Sequence, residues 1–138
     1  MPNWCHNTIV VKGTVEQLSE FEKKYLKDDT FSLESVIPSP KTIDDCPDEY
    51  VIHNESEAAS HFLKWDPSNP KNWFNWFNWN CDNWGCKWDA SNSAVNRHKN
   101  SIDIEFDTPW GPPCNVIDRL IADNSDIKIK HKYTGNLW

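Results

Sequence analysis

Glycine, basic residues and long apolar runs are all scarce in this sequence, and each scarcity argues against a class of function. Only 4 glycines occur in 138 residues, so a glycine-rich loop that cradles a nucleotide phosphate is not expected. The 14 basic residues are outnumbered by 21 acidic ones, and the net charge of −7 opposes general nucleic-acid binding, because phosphate contacts need a basic surface. No apolar run approaches the roughly 20 residues that span a bilayer, so we expect no membrane association.

Motifs of the common enzyme classes are also missing. No Ser-His-Asp order and no paired-carboxylate signature occurs in the sequence. His53 and Glu55, followed by Cys81 and Cys86, are superficially similar to the zinc-deaminase signature, but the cysteine spacing is wrong and no proline precedes Cys81. We therefore predict that the chain is not an enzyme.

The first residues and the cysteine content predict the compartment. The opening residues MPNWCHN contain neither the basic region nor the apolar region of a secretion signal. The cysteine count is 5, an odd number that fits reduced thiols better than a disulfide framework. We expect a cytoplasmic protein.

A Trp-rich segment, which we define as residues 72–88, is the most unusual feature of the sequence. Its tryptophans lie at positions 73, 76, 79, 84 and 88, and an asparagine directly precedes Trp73, Trp76 and Trp79. Such density indicates a small aromatic core, a recognition surface or both, since indole rings dominate both settings. A three-residue spacing drifts by about 60° per step around an α-helix, so these rings would align only in a 3₁₀ turn or an irregular segment. Partner contact and core filling are equal alternatives for these rings.

The hydrophobic pattern elsewhere predicts an α+β fold. Residues 8–12 form a β-branched strand, and the capping-box pair Thr14 and Gln17 starts an amphipathic helix. Further predicted elements are a strand over 31–36, an irregular insertion over 38–85 with a helix at 54–65, a strand pair over 87–92 and 102–107, a helix after the turn at 108–113, and a last strand over 127–132. Without the insertion after its second strand, the order β-α-β-β-α-β is the ferredoxin-like plan. We therefore predict one domain over residues 1–138, with two helices on one face of an antiparallel sheet.

Three blocks of the sequence resemble one protein family. They are MPNWCHN at 1–7, NWGCKWD at 83–89 and FDTPWGPP at 106–113. Together they look like the YubB-type ferredoxin-like domain family, found largely in phages and plasmids of bacteria and usually described as of unknown function. The resemblance implies the ferredoxin-like fold and a mobile-element setting, and it implies no catalytic residues. The tryptophans of the blocks, at positions 4, 84, 88 and 110, are expected to pack the sheet against the insertion.

The cysteines predict a structural zinc site. Cys81 and Cys86 are separated by four residues, and Cys5 and Cys114 could complete the four ligands that such a site needs. Members of the resembling family usually carry threonine where this chain has Cys86, and a metal would stabilise an irregular insertion. The alternative is that these cysteines are ordinary buried thiols.

An acidic stretch in the insertion completes the set of candidate residues. No lysine or arginine lies between Thr42 and Leu63, and the acidic side chains that we single out are Asp44, Asp45, Asp48 and Glu49. A solvated loop is one interpretation of such a stretch. The functional interpretation is a surface that docks on a basic groove, as an imitation of a phosphate backbone would.

These features predict an interaction protein of a phage or similar element. Small size, negative charge and surplus aromatic residues favour a counter-defence inhibitor of the anti-CRISPR type, which binds a host defence protein. A CRISPR effector nuclease is an apt partner because its guide–target channel is strongly basic. The alternative is a module for single-stranded nucleic acid that stacks bases on Trp73, Trp76 and Trp79.

Overall fold

The computed structural model describes residues 3–41, 45–52, 64–65 and 73–135. In chain order its regular elements are β1 (Trp4–Lys12), α1 (Val15–Tyr25), β2 (Leu26–Lys27), β3 (Thr30–Phe31), β4 (Val51–Ile52), β5 (Lys64–Trp65), β6 (Trp73–Phe74), α2 (Trp76–Asn83), β7 (Ser91–Arg97), β8 (Ser101–Pro109), α3 (Cys114–Asp123) and β9 (Lys128–Gly135). Short 3₁₀ helices occupy Leu33–Ser35 and Asp48–Tyr50. Within these ranges no helix is both long enough and apolar enough to cross a bilayer.

Four antiparallel strands form the main sheet in the order β7-β8-β1-β9. The central strand β1 pairs with β8 from Trp4 opposite Pro109 to Lys12 opposite Ser101, and its other edge pairs with β9. The predicted α+β class is therefore confirmed. The predicted strands over 8–12, 102–107 and 127–132 are also present, and β1, β8 and β9 extend beyond most of their predicted ends.

One face of this sheet packs against the helices. Alternate side chains of β1 and β8 are buried, as the period-two pattern predicts, and they share one core with buried residues of both α1 and α3. Helix α1 begins with the predicted capping box, in which Thr14 Oγ1 accepts from the Gln17 N–H at 3.2 Å and Gln17 Oε1 accepts from the Thr14 N–H at 2.9 Å. The reciprocal bonds fix the start of the helix directly after β1.

The predicted strand over residues 31–36 is wrong beyond Phe31, which is the last residue of β3. β2 and β3 form a short hairpin, and the chain then enters the 3₁₀ helix Leu33–Ser35. Asp89 fixes this helix, because its carboxylate accepts from Ser32 Oγ at 2.8 Å and from the Leu33 N–H at 2.6 Å. The spacing of the buried Phe31 and Leu33 imitates a strand, whereas a carboxylate far along the chain decides the backbone conformation.

Among the described residues, no strand of the main sheet lies between α1 and β7, so the strand expected before residue 38 is not part of this sheet. Between α1 and β7, the described residues contain a second sheet with the strand order β4-β6-β5, followed by α2. The predicted helix over 54–65 lies outside the described residues except for its last two. Those two form β5, which pairs with β6, so the helical prediction is wrong there.

The second strand of the main sheet begins later than predicted. Residues 87–92 were expected to be extended, but β7 starts at Ser91 and runs to Arg97. Its pairing with β8 shifts register between Ser91 and Ala94, and Asn92 adopts a φ of 55° there. The shift is a β-bulge, in which one extra residue of β7 lies opposite β8.

Candidate protein-interaction surface

The turn between β8 and α3 presents a tryptophan to solvent. Trp110 is 60% exposed and has a φ of 74°, a left-handed conformation that is rare for a large side chain. The expectation that this residue packs the sheet against the insertion is therefore wrong. The surrounding PWGPP sequence predicted a rigid turn, but it carried no signal for the direction of the indole.

Buried hydrogen bonds hold this turn in place. Asn7 and Thr108 are both 0% exposed, and Asn7 Nδ2 donates to Thr108 Oγ1 at 2.9 Å. Thr108 Oγ1 in turn donates to the Gly111 carbonyl at 2.6 Å, while the Trp110 N–H donates to the Asn3 carbonyl at 2.7 Å. The network fixes the backbone on both sides of the tryptophan. A backbone fixed before binding loses less conformational entropy when a partner docks.

An acidic 3₁₀ helix packs on the Trp-rich helix α2. Asp48 and Glu49 are exposed on it, and the buried Tyr50 donates its hydroxyl proton to Asp82 Oδ2 at 2.8 Å. Burial, followed by the hydrogen bond to Asp82, raises the pKa of Tyr50 to about 12. The phenol thus remains a donor at neutral pH and anchors the acidic helix.

Contacts from α3 join the segment that follows the tryptophan turn to α2. Asn115 Nδ2 donates to the Asp82 carbonyl at 3.0 Å. Gly85, which directly follows the α2 C-cap, approaches the same segment so closely that a Cβ built on it would lie 3.6 Å from the Cys114 nitrogen. We use the name acidic–aromatic surface for the exposed side chains Trp110, Asp48, Glu49 and Asp82, whose elements these contacts connect.

The four acidic residues predicted from the sequence do not all belong to this surface. Asp48 and Glu49 belong to the acidic–aromatic surface, and Asp45 is exposed shortly before them in the chain. Asp44 lies outside the described residues. Asp82, which comes from the Trp-rich segment rather than from the acidic stretch, was not singled out by sequence reasoning. Asp82 is a lone acidic residue in its part of the sequence, so no charge pattern marked it as a candidate.

The predicted aromatic anchors do not form one row. Trp73 lies in β6, whereas Trp76 and Trp79 lie in α2, so the expectation of an irregular segment is wrong for these two. Trp79 is 4% exposed and packs edge-on against Trp84, with ring centres 5.4 Å apart. It therefore fills the core rather than contacting a partner, whereas Trp76 is half-buried.

The four predicted zinc ligands differ in exposure. Cys5 and Cys86 are buried, and Cys81 and Cys114 are exposed. Burial above all, followed by the charge of Asp89, raises the pKa of Cys86 to about 12, and Cys81 and Cys5 contribute to the same shift. Burial likewise raises the pKa of Cys5, with a further contribution from Cys114. Among the described residues no three His, Cys, Asp or Glu side chains are arranged to hold a metal ion.

Comparisons with known proteins return no relative. No family model matches the chain. Searches of curated proteins and of solved structures likewise return no match. The function is therefore inferred from the geometry of the acidic–aromatic surface itself.

Proposed function

We propose that this chain is a non-enzymatic interaction protein that binds a basic partner through the acidic–aromatic surface. The observation that carries the proposal is Trp110, an exposed indole in a left-handed conformation. Such a conformation costs free energy and persists only where the surroundings over-determine it, as they do at binding sites. Tryptophan is also among the residues that dominate interface energetics. The neighbouring carboxylates would attract a basic partner and exclude an acidic one.

The partner that fits this surface best is a nuclease that binds nucleic acid through a basic groove. The net charge of −7 would speed association with such a groove at low ionic strength. We propose that the chain acts as a counter-defence inhibitor of the anti-CRISPR type in the host cytoplasm, with a CRISPR effector nuclease as its partner. Occupying the guide–target channel would block DNA binding without any chemical step.

We also propose the ferredoxin-like plan and membership of the YubB-type family for this chain. The main sheet runs β7-β8-β1-β9, with α1 before β7 and α3 before β9. This order supports a β-α-β-β-α-β plan in which β7 is the second strand and the insertion precedes it. A mobile-element setting, which the family resemblance implies, agrees with an inhibitor of host defence.

A single-stranded nucleic-acid module is the second candidate. Three exposed lysines on β9, Lys128, Lys130 and Lys132, share one face of the main sheet and support it. A row of carboxylates on β8, formed by Asp103, Glu105 and Asp107, lies on the same face and counts against it. Tryptophan fluorescence titrated with single-stranded oligonucleotides at low salt separates the two candidates, since the inhibitor proposal expects no quenching.

Removing charge from the acidic stretch should slow association with the nuclease. The variant carries Asp45→Asn, Asp48→Asn and Glu49→Gln. Its on-rate should fall and lose much of its salt dependence, because exposed charges steer encounter. Its melting temperature should hardly change, since exposed charges contribute little to stability. Stopped-flow binding at several ionic strengths measures the on-rate and its salt dependence, and thermal unfolding measures the melting temperature.

A matched control removes the same charge from exposed sites on other elements. It carries Glu16→Gln, Asp118→Asn and Asp126→Asn. Its on-rate should stay closer to that of the wild type than to that of the acidic-stretch variant. Equal slowing of both variants would mean that net charge alone, rather than this surface, steers binding.

We propose in addition that Cys81, Cys86, Cys5 and Cys114 bind one structural zinc ion. Cys81 and Cys5 contribute to the raised pKa of Cys86, and Cys114 contributes to that of Cys5, so cysteines from separate parts of the chain lie near one another. Their side chains would have to turn toward a common centre, because no three described ligand side chains are arranged around one in the structure. A bound zinc ion would hold the thiolates and fasten the insertion to β1.

Zinc should therefore survive purification without chelator, at about one equivalent per chain. A chelator should lower the melting temperature, because the free energy of metal binding at a structural site contributes to folding. Cys81→Ser should lose the metal, whereas the control Cys46→Ser, at a cysteine outside the set, should retain it. Elemental analysis of each protein measures the content. A zinc content near zero in the wild type would make the four residues ordinary thiols.

A further inference from the structure

A pocket of about 370 Å³ opens beside α2, on the side away from Asp82. Its aromatic lining comes from Trp76, Trp84 and Trp88, and its charged lining includes Glu34, Lys41 and Asp89. Asn80, one turn after Trp76, also lines it, whereas Asp82 lies about 200° further around the helix axis. The volume falls within the roughly 300–1,000 Å³ of ligand pockets. The pocket is thus separate from the acidic–aromatic surface.

The aromatic walls of the pocket are fixed by contacts behind them. Trp84 is 4% exposed, and its Nε1–H donates to the Ile37 carbonyl at 2.9 Å. Trp88 packs against Trp4 with ring centres 6.1 Å apart. Asn80 Nδ2 is held by the Lys87 carbonyl at 2.9 Å. A ligand therefore meets walls that need little rearrangement.

One of the pocket's carboxylates already holds a cation. Glu34, whose side chain is 29% exposed, accepts from the Ser39 N–H at 2.9 Å and forms an ion pair with the ammonium group of Lys41. The Lys41 side chain is itself 65% exposed, so it covers the carboxylate from the solvent side. The Ser39 hydroxyl also lies within hydrogen-bond distance of both Glu34 oxygens. Asp89 differs in that it accepts from Ser32 and from backbone N–H groups rather than from a lysine. Glu34 is thus the charged group that a ligand can reach by displacing Lys41.

The indole rings complete the environment that a cation requires. On Trp88, the ammonium group of Lys87 lies 5.0 Å from the ring centroid, so this ring already takes part in a cation–π contact. Indole is the most favourable aromatic ring for such contacts. Rings and a carboxylate around one cavity suit a planar guanidinium in particular, because it can stack on an indole and pair with a carboxylate at the same time.

We propose that this pocket binds an organic cation of guanidinium chemistry, which replaces the Lys41 ammonium on Glu34 and stacks on the tryptophan walls. The guanidinium can belong to free arginine or to an arginine side chain of a protein. Binding here does not depend on the function proposed above, because the pocket and the acidic–aromatic surface lie on different sides of α2.

Calorimetric titration of the full chain tests this with three probes. Arginine amide represents the free ligand, an acetyl-Gly-Arg-Gly-amide peptide represents an arginine within a protein, and glucose is the neutral probe. Saturable binding of arginine amide with no binding of glucose is expected. Tighter binding of the peptide than of arginine amide would assign the site to a protein side chain, and the reverse order would assign it to the free ligand.

Variants at the pocket sharpen the test. Glu34→Gln keeps an oxygen that accepts from Ser39 and should weaken arginine amide binding about tenfold, because it removes the charge from the hydrogen bond. Lys41→Gln should strengthen binding, because the competing ammonium is gone. Trp76→Leu should weaken binding and Trp76→Phe should restore part of it. Asp118→Asn, outside the pocket, is the matched charge control and should bind like the wild type.

Three results would overturn the proposal. They are the absence of saturable binding for both arginine probes, binding of glucose as tight as that of arginine amide, and a Glu34→Gln variant with wild-type affinity. Thermal unfolding of each variant, followed by circular dichroism, verifies that affinity is compared between folded proteins.

Discussion

Replacing Trp79 with alanine should lower the free energy of unfolding by about 3–5 kcal/mol. The indole is 4% exposed, and its ring meets that of Trp84 at an interplanar angle of 83°. Its removal leaves a cavity in the core and breaks this edge-on contact. A domain of this kind is stable by only about 5–15 kcal/mol, so the loss is a large fraction of the total. Urea unfolding followed by circular dichroism measures the change.

The conservative variant Trp79→Phe is the control for this result. It retains an aromatic ring and should recover a substantial part of the lost stability, because less volume is removed. If the Trp79→Ala protein unfolds at the same urea concentration as the wild type, the Trp79 ring does not contribute to the core. The interface alternative for Trp79 would then be correct.

Replacing Trp110 with alanine should weaken partner binding and leave the free energy of unfolding almost unchanged. Affinity for the proposed nuclease partner should fall by at least about 2 kcal/mol, or roughly 30-fold, as expected for an interface hot spot. The free energy of unfolding should change by less than about 0.5 kcal/mol, because the side chain is 60% exposed. Calorimetric titration and urea unfolding measure the two quantities. Tyr133→Ala, at an aromatic residue that is 55% exposed on β9, is the matched control and should retain affinity.

Glycine at position 110 separates backbone strain from loss of the indole. Because glycine adopts the observed φ of 74° without a Cβ penalty, Trp110→Gly should be more stable than Trp110→Ala, by about 1 kcal/mol. Both variants should lose the same affinity, because both lack the ring. A glycine variant less stable than the alanine variant would contradict the interpretation that the turn is strained.

The parts of the fold that the sequence predicts are those with one buried face. β1 and β8 alternate buried side chains with more accessible ones, and α3 repeats its buried residues at helical spacing. The capping box at Thr14 and Gln17 is local, because all of its atoms lie within four residues. Such patterns need no knowledge of the rest of the chain.

The parts that the sequence does not predict depend on distant contacts. The 3₁₀ helix at Leu33–Ser35 is fixed by Asp89, which no local pattern connects to it. The turn that presents Trp110 depends on Asn7, a residue of the first strand. Of the candidate surface, sequence reasoning supplied the acidic residues Asp48 and Glu49. It gave partner contact and core filling as equal alternatives for Trp73, Trp76 and Trp79, of which Trp79 packs in the core, and it did not single out the exposed Trp110. Composition alone does not distinguish a buried indole from an exposed one.

Guided DNA cleavage by a purified CRISPR effector nuclease tests most directly whether the chain is a counter-defence inhibitor. The wild-type protein should protect the DNA when it is present in stoichiometric amounts with the nuclease. Trp110→Ala should need roughly 30-fold more protein for the same protection, and Tyr133→Ala should match the wild type. Complete cleavage by every effector nuclease of the host, with the wild-type chain in large excess, would contradict the proposed function.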